Sequence, residues 1–197
     1  MRVSGGQYAE FESPWPFRRD PELDVWRHRL GTLSSSEVSI REATAVGQDG
    51  RRVWDLQVEC SPITVRSVRE NVSMIAEQLV LLAEIDEVHV GFCVSFPGIK
   101  DSDPLFVQVV GVTPAALRRG VGLALLTAAA EREPGRDIAL ATQDENVAAR
   151  ALNDRFANSI GASILRVRLG TYRDRDLGIT RGLGYRAWVI QRPPAEP

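Results

Sequence analysis

Two glycines, Gly120 and Gly122, stand in "VTPAALRRGVGLALL", where an apolar run hands over to an alanine-rich stretch. Glycine is a poor helix former, so its use at a helix start points to something that approaches the backbone closely. The first helical turn carries N–H groups without partners inside the helix, and the helix dipole places positive charge there. Phosphate or pyrophosphate is the chemistry such a turn suits, and Arg118 or Arg119 adds charge beside it. Two nucleotide-binding patterns are excluded. Leu125 occupies the third glycine position of G-x-G-x-x-G, and the chain contains no Gly-Lys-Ser/Thr. A loop that merely needs flexible residues fits the same two glycines equally well.

The elements that would position this turn follow from periodicity. "PELDVWRHRLGTL" reads as a short helix ending near Gly31, behind an irregular arm broken by Pro14 and Pro16. "EVSIREATAV" and "RRVWDLQVEC" read as strands joined by a hairpin at Gln48-Asp49-Gly50, with Trp54, Leu56, Val58 and Cys60 alternating onto one face. Ser61-Pro62 offers a helix start for the stripe Val65, Val68, Val72, Ile75 and Leu79. "LVLLAEI" and "VHVGFCVSF" form a second hairpin around Asp86-Glu87. "LFVQVVGV" is apolar on nearly both faces, as a covered central strand would be. Beyond the glycine turn, "VGLALLTAAA" predicts a helix, "DIALAT" a buried strand, and Val147 to Phe156 another helix. "ILRVRLGTY" and "GYRAWVIQR" close the chain as strands. This order predicts one mixed α/β domain over 31–197 with a partly irregular N-terminal arm over 1–30.

Composition narrows the partners. A formal net charge of -2 gives no electrostatic case for nucleic acid or an anionic membrane, and no apolar run is long enough to span a bilayer. The N-terminus has no apolar core of the signal-peptide kind, so a cytoplasmic location is expected. Cys60 and Cys93 sit in apolar patterns as small buried hydrophobes. With His28 and His89 the only imidazoles, no metal site is expected.

The segment "VTPAALRRGVGLALL" resembles the acetyl-CoA-binding motif of the GNAT acetyltransferase superfamily, V-x-P followed by Q/R-x-x-G-x-G/A. Val112, Pro114, Gly120 and Gly122 match in type and spacing, while Leu117 departs from the usual Gln or Arg. "NVAARAL" is similar to the family's N-x-x-A-x-x-L segment through Asn146, Ala149 and Leu152. "LVLLAEIDEVHVGFCVSF" is similar to its hairpin. The resemblance covers roughly residues 53 to 192. It implies a single-domain GNAT-like α/β fold: a mixed, mostly antiparallel sheet, splayed at the acetyl-CoA site and flanked by helices. It further implies acetyl-CoA as cosubstrate. The pantetheine would pair with backbone at Val110, Gly111 and Val112, and the pyrophosphate would sit at Arg118, Arg119, Gly120, Val121, Gly122 and Leu123, with Asn146 close by. Gly111 fits a close backbone approach, and close packing of a helix on the strand explains it equally. Asn146 fits a helix cap as well as a ligand contact.

The implied reaction is transfer of an acetyl group to a primary amine of a small molecule, peptide or protein. It needs a base for the amine proton and an acid for the departing thiolate. Gln108 stands where many family members have Glu, and Asn153 where many have Tyr, so neither usual titrating group is present. Glu145 is then the candidate base, though a solvated first-turn glutamate is the plainer reading. Tyr185 is the candidate acid, with Tyr172 behind it. Arg166, Arg168, Arg173, Arg175 and Arg181 read first as a charged, protected edge. A non-catalytic acyl-CoA sensor on the same fold is the alternative that Gln108 and Asn153 leave open. The acceptor has no readable code, a homodimer is compatible with the sequence, and aromatic Trp15, Phe17 and Trp26 are placed to cover a pocket or an interface.

Overall fold

A computed structural model describes residues 20–193; Trp15 and Phe17 lie outside the described residues. α1 (Pro21–Leu30) starts where the sequence places it. The Oδ1 of Asp20 accepts hydrogen bonds from the Glu22 and Leu23 N–H groups at 3.1 and 3.2 Å, and a proline fills the first position. Its Leu23, Trp26 and Leu30 are buried in the main core. The indole of Trp26 donates to the His89 carbonyl at 3.0 Å and stacks on the His89 ring, with centroids 4.8 Å apart. That ring also faces Asp55, Nε2 to Oδ2 at 3.4 Å. Trp26 is thus a core anchor for α1.

β1 (Ser39–Glu42) is a short edge strand, and the segment expected to pair with it is a helix, α2 (Asp49–Glu59). The Asp-Gly pair starts this helix instead of turning a hairpin. The Asp49 carboxylate is taken up by Arg41 at 2.8 and 2.9 Å, by Arg52 at 2.9 Å and by the Thr44 N–H at 2.8 Å. Gly50 lies so close to α3 (Val68–Glu77) that a Cβ would stand 2.5 Å from a Val72 methyl. The helical period was present in the sequence beside the alternating one. Val53, Leu56, Gln57 and Cys60 are buried at steps of three and four, with Asp55 and the helix start buried beside them. α3 begins later than Ser61-Pro62, on a capping box in which Ser67 and Glu70 satisfy each other's backbone N–H groups. Between α2 and α3, Gln57 and Asn71 exchange two hydrogen bonds at 3.0 and 3.1 Å, so both buried amides are satisfied.

The other elements fall near their expected places. β2 (Leu79–Ile85) and β3 (Val88–Pro97) form the hairpin around Asp86-Glu87. Next come β4 (Leu105–Val112), α4 (Val121–Glu131), β5 (Ile138–Gln143), α5 (Val147–Ser159), β6 (Ser163–Val167) and β7 (Tyr185–Gln191). They build a seven-stranded mixed sheet in the order β1-β2-β3-β4-β5-β7-β6, in which only β4–β5 is parallel. Its two faces are covered differently. A Cβ on Gly91 would touch Val121 and Leu125 of α4. One on Gly111 would touch Phe92 and Ile63, on the side of the α2–α3 connection. A second, smaller core of Phe106, Ala139, Leu177, Ala187 and Val189 lies under the long β6–β7 loop.

Candidate active site

The site begins with a failure of pairing. β4 and β5 run side by side through Leu105, Phe106 and Val107, opposite Ile138, Ala139 and Leu140, and their ladder ends there. β4 continues to Val112 along β3, and β5 continues to Gln143 along β7, so the two strands part. The cause is a bulge. Val107 faces Ser95 and Val109 faces Val94, which leaves Gln108 as an extra residue that bends β4 away. The Thr113 N–H donates to the Val90 carbonyl at 2.8 Å. Counting back from it, strand alternation turns the N–H and C=O groups of Val110 and Val112 toward the gap. Among the described residues these groups are an edge ladder without a partner strand.

Gly111 turns the other way. A Cβ there would stand 2.6 Å from the Phe92 ring and 2.9 Å from Ile63, so its missing side chain serves packing, and the same alternation turns its own N–H and C=O toward Phe92 of β3.

At the end of β4 the chain makes a short 3₁₀ turn, Pro114–Ala116, before α4. Arg118 and Gly120 adopt left-handed conformations, φ 64° and 80°, which swing the backbone around the start of the helix. Gly120 caps α4 without any side-chain hydrogen bond, and a Cβ on it would meet nothing within 4 Å. The first-turn N–H groups of Val121, Gly122 and Leu123 have no acceptor within the helix and no capping side chain, a cradle fit for an anion. Gly122 plays a different part: a Cβ on it would lie 2.9 Å from a Leu152 methyl, so it sets how closely α5 packs on α4. Arg119 donates to the Ser35 carbonyl at 2.9 Å and ties the turn to the segment before β1. The Asp86 carboxylate holds that segment by the Ser34 and Ser35 N–H groups at 2.7 and 3.1 Å. Arg118 is exposed.

Of the remaining predicted residues, Glu145, Asn146 and Tyr185 lie beyond the C-terminal ends of the parallel pair, whereas Tyr172 packs near the start of β4 and Asn153 within α5. Beyond such C-terminal ends is where ligands collect in sheets with parallel strands. Asn146 caps α5, its Oδ1 accepting from the Ala149 N–H at 2.9 Å. Glu145 precedes it, exposed. Tyr185 opens β7 opposite Gln143 and is half-buried. Tyr172 packs edge-on against Phe106 at 5.2 Å, in the small core beneath the β6–β7 loop. Burial and the charges of Asp137 and Asp103 push its hydroxyl above the usual range. Asn153 is buried within α5.

Two features escape sequence reasoning. No residue type signals the bulge, since Gln108 sits in an unbroken apolar pattern. Nor does the sequence announce that the β6–β7 loop folds back over β4, where Gln108 Nε2 donates to the Arg175 carbonyl at 2.7 Å.

Residues 51–157 match the model of the acetyltransferase (GNAT) family, more than half of the chain. The chain belongs to the GNAT family. It is an acetyl-CoA-dependent N-acetyltransferase, which moves an acetyl group to an amine. No curated protein sequence matches it. Among solved structures it resembles a diaminobutyrate acetyltransferase from Paenibacillus lautus, in complex with its substrate L-2,4-diaminobutyric acid and coenzyme A. The TM-score is 0.64 at 22% identity, covering 80% of this chain and 96% of that one. It also resembles the ribosomal-protein-S18-alanine N-acetyltransferase of Escherichia coli, TM-score 0.58 at 18% identity, covering 82% and 96%. A third is the IAA acetyltransferase of Bacillus cereus, TM-score 0.55 at 15% identity, covering 80% and 100%. At these identities the likeness establishes the fold, and the seven-stranded splayed sheet agrees with it. No helix among the described residues is long and apolar enough to cross a membrane.

Proposed function

We propose that this GNAT acetyltransferase binds CoA in the β4–β5 gap and acetylates a primary amine presented from the face of β4 under the β6–β7 loop. The parting of two parallel strands beside an open, side-chain-free helix start carries this reading. The unpartnered groups of Val110 and Val112 pair with the amides of the pantetheine arm. The N–H groups of Val121, Gly122 and Leu123 hold the pyrophosphate, with Gly120 leaving room for it and Arg118 and Arg119 supplying charge. Asn146 fixes the start of α5 beside it. Acetyl-CoA supplies an activated acyl group as a thioester. The chain's part is to hold the amine against it, and orientation of this kind is worth up to roughly 7–11 kcal/mol. A backbone N–H near Val110 steadies the developing oxyanion.

With an amide at Gln108 and Asn153, no ionisable side chain dominates the proton transfers; water relays the amine proton. Glu145→Gln and Tyr185→Phe are each expected to lower kcat by less than about a hundredfold, the low end of general acid–base effects. A thousandfold loss, with one limb of the pH profile missing, would instead identify a dedicated catalyst. The test of the whole reading is thiol release from acetyl-CoA over a panel of amino acids, diamines and peptides, together with calorimetry of CoA binding. CoA affinity without turnover on any amine favours the sensor alternative, and no CoA affinity removes the reading. The diaminobutyric acid and ribosomal-protein alanine that the two neighbours act on make a small diamine and an Ala-initiated peptide the first acceptors to try.

The protein's own thiols do not interfere with this assay. Burial pushes Cys93 up to about 12 despite the opposing Ser95 hydroxyl, and burial together with the Glu59 charge pushes Cys60 to about 12. Both therefore stay protonated and shielded at neutral pH, and a thiol reacts as the thiolate. Maleimide labelling in native buffer is expected to leave both unmodified over the assay time and to modify both in denaturant. Rapid native labelling of either would show that its site opens.

A further inference from the structure

The bulge residue of β4 does more than bend the strand. Gln108 is the residue at which β4 leaves β5, so its side chain lies at the mouth of the gap. Its carboxamide is committed there: Nε2 donates to the Arg175 carbonyl at 2.7 Å, across 67 residues of chain. The partner is a carbonyl oxygen, which accepts only, so an N–H donor must face it. A glutamate of the same shape would set a carboxylate oxygen against that carbonyl. The same strand position receives the loop a second time. Gly178, at φ 63°, comes so near that a Cβ would stand 2.7 Å from the Gln108 carbonyl oxygen. Between these two contacts Leu177 is buried with Phe106 and Ala187. Asp174 faces Arg181, and Asp176 faces Arg173 and Arg175, in ion pairs on the exposed side of the loop.

Resting on the proposed use of the gap, we infer that Gln108 is a positioning residue, an amide that fastens the β6–β7 loop over the bulge so that residues 172–178 wall the acceptor side and set acceptor affinity. The glutamine is therefore a structural requirement of the loop rather than a lost base. The extra strand residue and the loop's left-handed glycine form one device. The bulge pushes the Gln108 backbone and amide out of the sheet, and the glycine lets a second backbone close on them without a side chain between.

The test compares the full-length protein with Gln108→Glu, Gln108→Ala and Gly178→Ala. Hydrogen–deuterium exchange of peptides covering 172–180 should speed up about tenfold in all three, the loss of one hydrogen bond's worth of local protection. CoA affinity by calorimetry should stay within about twofold, because Val110, Val112 and the α4 turn are untouched. With the panel amine that turns over fastest, the acceptor KM should rise while kcat does not, and Gln108→Glu should add no new basic limb to the pH profile. Unchanged exchange in the Gln108 variants overturns the inference. So does a Gln108→Glu enzyme with raised kcat and a new titrating limb, since that marks a vacated base position. If the parent shows no CoA affinity, the use of the gap fails, while the exchange result still decides the tether.

Discussion

Gly120→Asp is expected to weaken CoA binding by at least about a hundredfold while leaving the fold in place. The aspartate would project into the open space at the start of α4, where nothing of the protein lies within 4 Å of a Cβ. Its carboxylate would stand at the proposed pyrophosphate position, and opposing like charges there cost several kcal/mol. About 2.7 kcal/mol already amounts to a factor of a hundred. The backbone at φ 80° is left-handed, which costs a side chain roughly 1–2 kcal/mol, and Asp and Asn bear it best. Tm should therefore fall by only a few degrees. Gly120→Asn separates charge from strain: it carries the same shape and the same backbone cost without the charge, and should keep affinity within about tenfold of the parent. Equal losses in both variants would mean that space at Gly120, rather than anion binding, is what matters. No loss in either would move the pyrophosphate elsewhere.

The second large effect concerns stability. Asp49 is 4% exposed and answers two guanidiniums and one backbone N–H, joining the start of α2 to β1 and its neighbour Thr44. Asp49→Asn keeps the shape and leaves Arg41 and Arg52 without this counter-charge. Removing one partner of a fully buried pair costs about 3–5 kcal/mol. Arg41 and Arg52 remain 35% and 38% exposed in their side chains, so water screens part of this and about 2 kcal/mol is expected. In a chain of this size that lowers Tm by roughly 4–8 °C.

The pH dependence has a definite sign. Burial alone would raise the Asp49 carboxyl, but the Arg41 hydrogen bonds, the Thr44 N–H and the neighbouring charges outweigh it and hold the group well below the usual carboxylate range. A carboxyl lowered by folding adds stability that is fully present above its unfolded pKa of about 3.9 and fades as pH falls through the folded value. The gap in Tm between parent and Asp49→Asn should thus be constant near neutrality and shrink below about pH 4. Thermal scans across that range decide it. A gap that persists unchanged in acid would mean that the carboxylate's charge contributes nothing and that packing alone separates the two proteins.

The Asp-Gly pair at 49–50 also shows where reading the sequence stops. Asp-Gly between apolar segments is a hairpin signal because glycine supplies the backbone freedom that a two-residue turn demands. Here Gly50 is used for the absence of its side chain, under Val72 of a helix far along in the sequence. Nothing local distinguishes the two uses. The run from Val53 to Cys60 likewise fits a period of two and a period of 3.6, and the choice was made by α3 and the sheet, which bury the helical stripe. Asp86-Glu87, by contrast, does turn a hairpin. Two long apolar strands flank it, and no helical period competes there.

The sequence by itself determined the family and singled out the residues of the proposed site. Val112, Pro114, Gly120, Gly122 and the Asn146 segment are local in the chain. The chemistry proposed for them is carried by backbone N–H groups at a helix start, so residue types a few positions apart suffice to specify it. The central strand, the helix after the glycine turn and the closing strands are equally legible, because each is set by its own hydrophobic period. What only the tertiary structure decided is how these parts face one another: the parting of β4 from β5 at Gln108, the use of Gly111 and Gly122 for packing, and the return of the β6–β7 loop to fasten on Gln108. Each depends on contacts between residues distant in sequence. A bulge arises from the mismatch of two registers rather than from any residue, and a glycine looks the same whether a ligand or a neighbouring side chain fills the space beside it.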